Sequence, residues 1–225
     1  MTMPQPCTPA EQGRVRPESR VAATLQARAV AEPPGDRARS RAPRPYPAHL
    51  VEKLRLRDGS AVTIRPIRAA DRRLELDFLV GLSAQTRYQR LLSGRQLLPG
   101  ELKRLTDIDY AHEMALVALA TVDGRLRQIG VARYVRDAGD DERSADFAIV
   151  VAEDSQRRGL GALMLRRLMR AARADGVSVL GGITLSSNVA MLALAKKLGF
   201  SARREHGNAS VTDLRLELEA QRAFN

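Results

Sequence analysis

The chain has 225 residues, a formal net charge of +11, one cysteine and no tryptophan, and is long enough to bury a core of ordinary domain size. This composition excludes a disulfide-stapled scaffold, and no apolar run is long enough to span a bilayer as a helix. The basic balance is compatible with nucleic acid, an anionic membrane surface or a polyphosphate ligand, and by itself does not choose among them.

The first segment differs from the rest. Nine of the eleven prolines lie in residues 1–47, with little aromatic or aliphatic clustering, so residues 1–48 are expected to form a disordered arm. Eight arginines against four acids in residues 1–50 give +4, and 29 Lys+Arg against 22 Asp+Glu in the remainder give +7. The arm lacks the apolar core of a secretory signal, and a cytoplasmic protein is expected. Glu18 to Ala31 has the Arg- and Ala-rich character of an organellar transit peptide, against which the four acids argue mildly. Cys7 has no disulfide partner and is assigned no role. With few aromatic residues and no recognition motif in the arm, nucleic-acid binding is disfavoured.

The folded body is expected over residues 49–218, followed by a short tail, 219–225. Leu54 to Arg57 and Ala61 to Arg65 flank Asp58-Gly59, a strong hairpin signal, and Pro66 ends the second strand. From Ala69 to Gly81 the spacing of Leu74, Phe78 and Leu82 predicts one helical face. Ser83 to Leu92 and Pro99 to Thr106 read as two shorter helices, each opened by a capping residue or an N1 proline. Met114 to Val122 is a continuous apolar strand, Asp123-Gly124 turns the chain, and Leu126 to Val135 returns. An acidic loop, Asp137 to Glu142, precedes a third neighbouring strand from Asp146 to Val151, so a largely antiparallel meander is expected.

That strand ends in an acidic turn, Glu153 and Asp154, and runs into Gln156-Arg157-Arg158-Gly159-Leu160-Gly161 at a helix start. Amides there are unpaired and free to receive an anion, glycines allow close approach, and the helix dipole favours negative charge. The six-residue pattern also fits an ordinary strand-to-helix turn with solvated arginines. No lysine followed by Ser or Thr stands at this helix start, which disfavours a P-loop. The helix buries Leu160, Leu163, Met164, Leu168, Ala171 and Ala172 and turns Arg166, Arg170 and Arg173 outward. Asp175-Gly176 stops it. Val177 to Leu185 is a buried strand, and Asn188 caps a helix whose inward positions are Met191, Leu194, Ala195 and Leu198. Lys196 and Lys197 suit its last turn, and Gly199 is placed to close it. Strands Phe200 to Glu205 and Ser210 to Glu217 are joined by His206-Gly207-Asn208.

The ordered set QRRGLG from Gln156, NVAM from Asn188 and KLGF from Lys197 resembles the GNAT superfamily of acyl-CoA-dependent N-acyltransferases over about residues 50–218. LSAQTRYQRLLS (Leu82 to Ser93) and LTDIDYAHEMALVAL (Leu105 to Leu119) are similar to segments of the GNAT domain of bacterial protein lysine acetyltransferases. The resemblance implies an α/β (α+β) fold: a central mixed, mostly antiparallel sheet flanked by helices, with its strands 4 and 5 splayed. It implies acetyl-CoA as cosubstrate. The pyrophosphate would lie on the amides of Arg157, Arg158, Gly159, Leu160, Gly161 and Ala162, with Gln156 opening the motif. The pantetheine arm would pair with the strand edge near Val150 and Val151, and Asn188 would lie beside it. The implied acceptor is a lysine of a protein, possible targets including acyl-CoA synthetases. Such domains are often fused to a synthetase-like or nucleotide-sensing domain, and neither is found in this sequence.

A lysine of pKa about 10.4 is neutral in only roughly one molecule in two thousand at pH 7, so a carboxylate must remove its proton. Related enzymes use a glutamate early on the strand before the loop, and the matching position holds Asp146, one methylene shorter. Asp146 shares a strand face with Ala148 and Val150, opposite Phe147 and Ile149. It equally suits a solvated strand-start carboxylate, and Glu113 is the second candidate. Tyr110 and His112 precede Glu113, and His112 and His206 are expected to be surface residues. Many relatives use a tyrosine after the Asn as proton donor, but Leu194 and Ala195 occupy that vicinity. No metal site is expected. Acetylation of a small amine such as an antibiotic or polyamine, and a non-catalytic acyl-CoA sensor, remain as alternatives. Monomer and dimer stay open.

Overall fold

A computed structural model describes residues 41–91, 99–136, 143–205 and 208–218. The expected arm as far as residue 40, the acidic loop 137–142, the hairpin tip at His206-Gly207 and the tail 219–225 lie outside the described residues. Eight strands form one sheet: β1 (Glu52–Arg55), β2 (Ala61–Pro66), β3 (Glu113–Val122), β4 (Arg125–Arg136), β5 (Ser144–Val151), β6 (Val179–Leu185), β7 (Ser201–Glu205) and β8 (Asn208–Glu217). Their order is β1-β2-β3-β4-β5-β6-β8-β7, and every neighbouring pair is antiparallel except β5 and β6. The helices are α1 (Arg72–Gly81), α2 (Ala84–Leu91), α3 (Pro99–Thr106), α4 (Leu160–Ala174) and α5 (Val189–Lys197).

The turn signals explain the hairpins. Gly59 has φ +83°, and the Asp58 carboxylate accepts from the Ser60 amide at 3.0 Å. Asp123 (φ +49°) and Gly124 (φ +72°) form the two-residue left-handed turn that matches the twist of β3 and β4. The apolar run of β3 is continuous because both its faces are buried. Met114, Leu116 and Ala118 pack with Tyr134, Phe147, Met164, Leu165 and Leu168, on the α4 side. Ala115, Val117 and Leu119 pack with Phe78, Leu79, Leu82, Leu102 and Leu105 of α1 and α3. The sheet is thus the middle of three layers.

Three features differ from the sequence reading. β6 begins at Val179, because the Ser178 amide is taken by the Arg143 carbonyl before sheet pairing starts. Of the expected inward residues of α5, only Ala195 is buried, while Met191, Leu194 and Leu198 are half-buried. The packed chain also starts before His49. The Arg44 amide donates to the Asp109 carbonyl at 2.9 Å, and Arg44 Nη1 reaches Asp175 Oδ1 at 2.7 Å. The Tyr46 ring stands edge-on to Tyr110, 5.9 Å between centroids, beneath the Arg68 guanidinium.

Candidate active site

β5 and β6 pair over only three positions, Ser144 with Val179, Ala145 with Leu180 and Asp146 with Gly181. Beyond them the strands part. Glycines make the close join: a Cβ on Gly181 would lie 3.0 Å from Asp146 Oδ1, and one on Gly182 would lie 2.8 Å from the Phe147 ring and 3.1 Å from its carbonyl oxygen. From Phe147 onward, the β6-facing edge of β5 has no strand paired to it among the described residues. Between the diverging strands opens a cleft of about 400 Å³, walled by β5 from Asp146 to Val151, by Gly182, Ile183 and Thr184 of β6, and by Asn188, Met191 and Leu194. Of the half-buried apolar positions of α5, Met191 and Leu194 wall the cleft as well as packing against the core, and Leu198 packs against the core alone.

The glycine-containing loop forms one end of this cleft. The Gln156 amide donates to the Glu153 carbonyl, and the Leu163 amide to the Gly159 carbonyl. Between those two, the amides of Arg157 to Ala162 find no acceptor among the described residues. They crown the 15-residue α4, whose dipole adds partial positive charge at that end. Gly159 has φ +86° as N-cap, and Arg157 takes φ +60°, a conformation unusual for a side-chain-bearing residue. The loop is folded to point amides outward despite local strain, as an anion site requires.

Gln156, Arg157, Gly159, Gly161 and Ala162 line the cleft, as do Val150, Val151, Asp146 and Asn188. Arg158 and Leu160 do not. Arg158 pairs with Asp58 at 3.0 Å, tying the loop to the first hairpin, so its charge is partly satisfied. The Leu160 side chain is 1% exposed in the core, which leaves its amide as its contribution. Gln156 Nε2 donates to the Val151 carbonyl at 3.0 Å, so this residue clamps the loop onto the strand end. Asn188 Oδ1 accepts from the Met191 amide at 3.2 Å and caps α5.

The two candidate carboxylates share one sheet face. Glu113 pairs with Val135, and Val135 pairs with Asp146, so the three stand in a row across adjacent strands. Strands lie about 4.8 Å apart, which separates Glu113 from Asp146 by about 10 Å. Asp146 is at the cleft wall and Glu113 is not. Burial pushes the Glu113 carboxyl up, against the pull of the Arg133 guanidinium, and Asp109 adds to the rise. His112 is not the surface residue expected: its ring Nδ1 is 2.6 Å from Asp109 Oδ2, its side chain is 14% exposed, and Nε2 is buried without a hydrogen bond among the described residues. Leu194 lines the cleft and Ala195 is buried, so neither supplies a proton donor.

Thr86, Arg133, Val135 and Thr184 also line the cleft and were not singled out from the sequence. Arg133 carried a signal, being a charged residue within the apolar run IGVARYV. Thr86 is placed by a contact the sequence does not encode locally. The Glu153 carboxylate accepts from the Ser83 amide at 2.9 Å, and Ser83 Oγ caps the Thr86 amide. Desolvation opposes ionisation of Glu153, but hydrogen bonds from Ser83 and Thr86 outweigh it and hold the carboxyl at about 2.

The sequence matches the profile of the Acetyltransferase (GNAT) family over residues 85–200. It is 38% identical over 171 residues to acetyltransferase PA5475 of Pseudomonas aeruginosa, covering 76% of this chain and 90% of that protein. It is 29% identical to acetyltransferase Pat of Mycolicibacterium smegmatis over 72% of this chain and 47% of that protein, so it spans about half of Pat's length. Among solved structures, the GNAT domain of S. lividans PAT superposes with a TM-score of 0.70 at 26% identity, covering 77% of this chain and all of that one. The protein yncA of Salmonella typhimurium, solved with its cofactor acetyl-CoA, shares the fold with a TM-score of 0.57 at 21% identity, over 73% and 98% of the two chains. With this cleft, this loop and these relatives, the chain belongs to the acetyltransferase (GNAT) family and is an acetyltransferase.

Proposed function

We propose that this acetyltransferase uses acetyl-CoA to acetylate a lysine side chain of a protein, with Asp146 as general base. The observation that carries the reading is the row of outward amides from Arg157 to Ala162 at one end of a cleft whose other end holds Asp146. The amides, Arg157 and the α4 dipole would hold the pyrophosphate. The unpartnered edge of β5 near Val150 and Val151 would take the amide-bearing pantetheine arm as a strand, with Asn188 alongside. Bound acetyl-CoA supplies a thioester carbonyl, at which the amine forms the C–N bond while the C–S bond breaks and CoA leaves as thiolate.

Asp146 takes the proton from the incoming ammonium, directly or through one water, so that the nitrogen lone pair is available, and the second N–H proton, released as the amide forms, passes to the departing CoA thiolate or to water. Glu113 is too far along the row to touch the same nitrogen. It is the second candidate because it begins β3 on the same sheet face, and burial pushes its carboxyl up from the ordinary value. The protein-lysine acceptor is supported by the likeness of Leu82–Ser93 and Leu105–Leu119 to protein lysine acetyltransferases and by the match to Pat. An acyl-CoA synthetase is the first target to try.

Incubating the protein with radiolabelled acetyl-CoA and a panel of proteins, lysine peptides and small amines tests the reading. Label on protein lysines is expected. Label confined to small amines would replace the protein acceptor with a small-amine acceptor, and acetyl-CoA binding without any transfer would leave only a sensor.

A further inference from the structure

The least expected member of the cleft is Arg133, the guanidinium of a buried strand residue with 6% of its surface exposed. It stands in a row between Ala115 and Ala148, whose small side chains leave room for it on the sheet face below α3. Its Nη2 donates to the Leu105 carbonyl at 2.6 Å, in the last turn of α3. A guanidinium has five N–H donors in a planar fork, and no ion pair joins Arg133 to a carboxylate among the described residues. None of its nitrogens is sealed away without a partner, so the remaining donors open on the cleft that Arg133 lines. Holding a charge in such a place is unfavourable unless something pairs with it.

Asp146 is the next position along on the neighbouring strand: Arg133 pairs with Ala148, and Val135 with Asp146. Diagonal neighbours of this kind are about 7–8 Å apart, a few covalent bonds. We infer that Arg133 is a specificity-determining residue whose free N–H edge receives a carboxylate carried by the acceptor close to its reacting amine, which Asp146 meets. This rests on the acetyl-transfer reading above and narrows its acceptor class. The carboxylate can come from a free amino acid or from an acidic residue beside a lysine. A bidentate Arg–carboxylate contact supplies both orientation and charge pairing, which a lysine at that position would supply less well. Glu113, Asp109 and Asp146 are the carboxylates near this end of the sheet and Arg104 the other arginine, so Arg133 is the cation lining the cleft there that can pair with the acceptor's anion.

The test uses two pairs of twins. One is L-lysine and L-lysinamide. The other is a blocked pentapeptide with one lysine followed by Asp, and the same peptide with Asn. Wild-type protein should prefer the carboxylate twin in at least one pair by roughly tenfold to a hundredfold in kcat/KM. Arg133→Gln should remove the preference and Arg133→Lys should restore part of it, with acetyl-CoA affinity near wild type in both. A preference only in the first pair identifies a free amino acid, and one only in the second identifies an acidic neighbour. Equal rates for both twins in both pairs, or a preference that survives Arg133→Gln, overturns the inference. Calorimetric titration of CoA-saturated wild-type protein with each twin reads the same contact without turnover. Tighter binding of a carboxylate twin upholds it even if no acetyl is transferred, and equal binding overturns it.

Discussion

The close join of β5 and β6 makes a paired prediction with two distinct outcomes. Gly182→Ala would place a methyl group 2.8 Å from the Phe147 ring and 3.1 Å from its carbonyl oxygen, and the backbone atom cannot rotate away. Overpacking of this kind costs about 1–3 kcal/mol, offset by about 0.4–1 kcal/mol from the stiffer unfolded chain, for a net loss centred on about 1.3 kcal/mol. In a protein of this size that lowers Tm by roughly 2–8 °C. Gly181→Ala differs, because its methyl would press at 3.0 Å on Asp146 Oδ1, the end of a side chain that can swing aside. Its Tm should stay within about 2 °C of wild type. Turnover should nonetheless fall by about tenfold to a hundredfold if Asp146 is the base, since a displacement near 1 Å at a reacting group has that scale. Differential scanning fluorimetry and a CoA-release assay on both variants measure the two effects. If Gly182→Ala melts with wild type, or Gly181→Ala turns over normally, the join neither limits packing nor holds the carboxylate in place.

Other outcomes follow from the same geometry. Asp146→Asn should lower kcat by at least about a hundredfold with acetyl-CoA affinity retained, while unchanged turnover would move the base to Glu113. Because the folded Glu113 pKa is raised, this group favours folding below its unfolded pKa and loses that contribution as pH rises through the folded one. Glu113→Gln should therefore melt at or above wild type at pH 8 and lose any advantage at pH 4, as Tm against pH would show. Glu153 has the opposite sign: its folded pKa of about 2 stabilises the fold above the usual value near 4.5 and ceases to do so as pH falls through about 2. Glu153→Gln should flatten that acid limb. Arg157→Gly should raise Tm slightly by relieving φ +60° and should weaken acetyl-CoA binding in calorimetry, and stronger binding would remove Arg157 from the anion site. Removing residues 1–47 should lower Tm by several degrees relative to removing residues 1–40, because Arg44 and the Tyr46 ring go with it.

The elements and their order were legible because each carried a local rule: Asp-Gly turns, an Asn cap, a helical apolar stripe, a β-branched run. The glycine-containing loop at the head of α4 was legible for the same reason, its glycines being adjacent to the strand and helix that frame it. What escaped was information held between elements. The run Met191, Leu194 and Leu198 has the period of a core face, and nothing in that period says that Met191 and Leu194 also wall a cleft. His112 read as a loop residue because its partner, Asp109, becomes one only when Tyr110 takes φ +53° and bends the chain back. Arg44 to Pro47 read as arm because proline-rich composition hides two aromatic and ionic anchors whose partners lie 64 and 131 residues away. The splay after Asp146 was expected from family likeness, whereas the close join at its base, two adjacent glycines against Asp146 and Phe147, is visible only in three dimensions.

The three-residue union of β5 with β6 has a thermodynamic corollary. The sheet is two half-sheets, β1 to β5 and β6 to β8, sharing a short seam and coupled also through the α4 crossover and the Phe147–Phe200 ring contact. An extended ligand lying in the gap would lengthen that seam with main-chain hydrogen bonds and so become part of the architecture while bound. Amide hydrogen exchange in β6 and β8 should then slow when the ligand is added, tying the lifetime of the folded protein to the supply of its own cosubstrate.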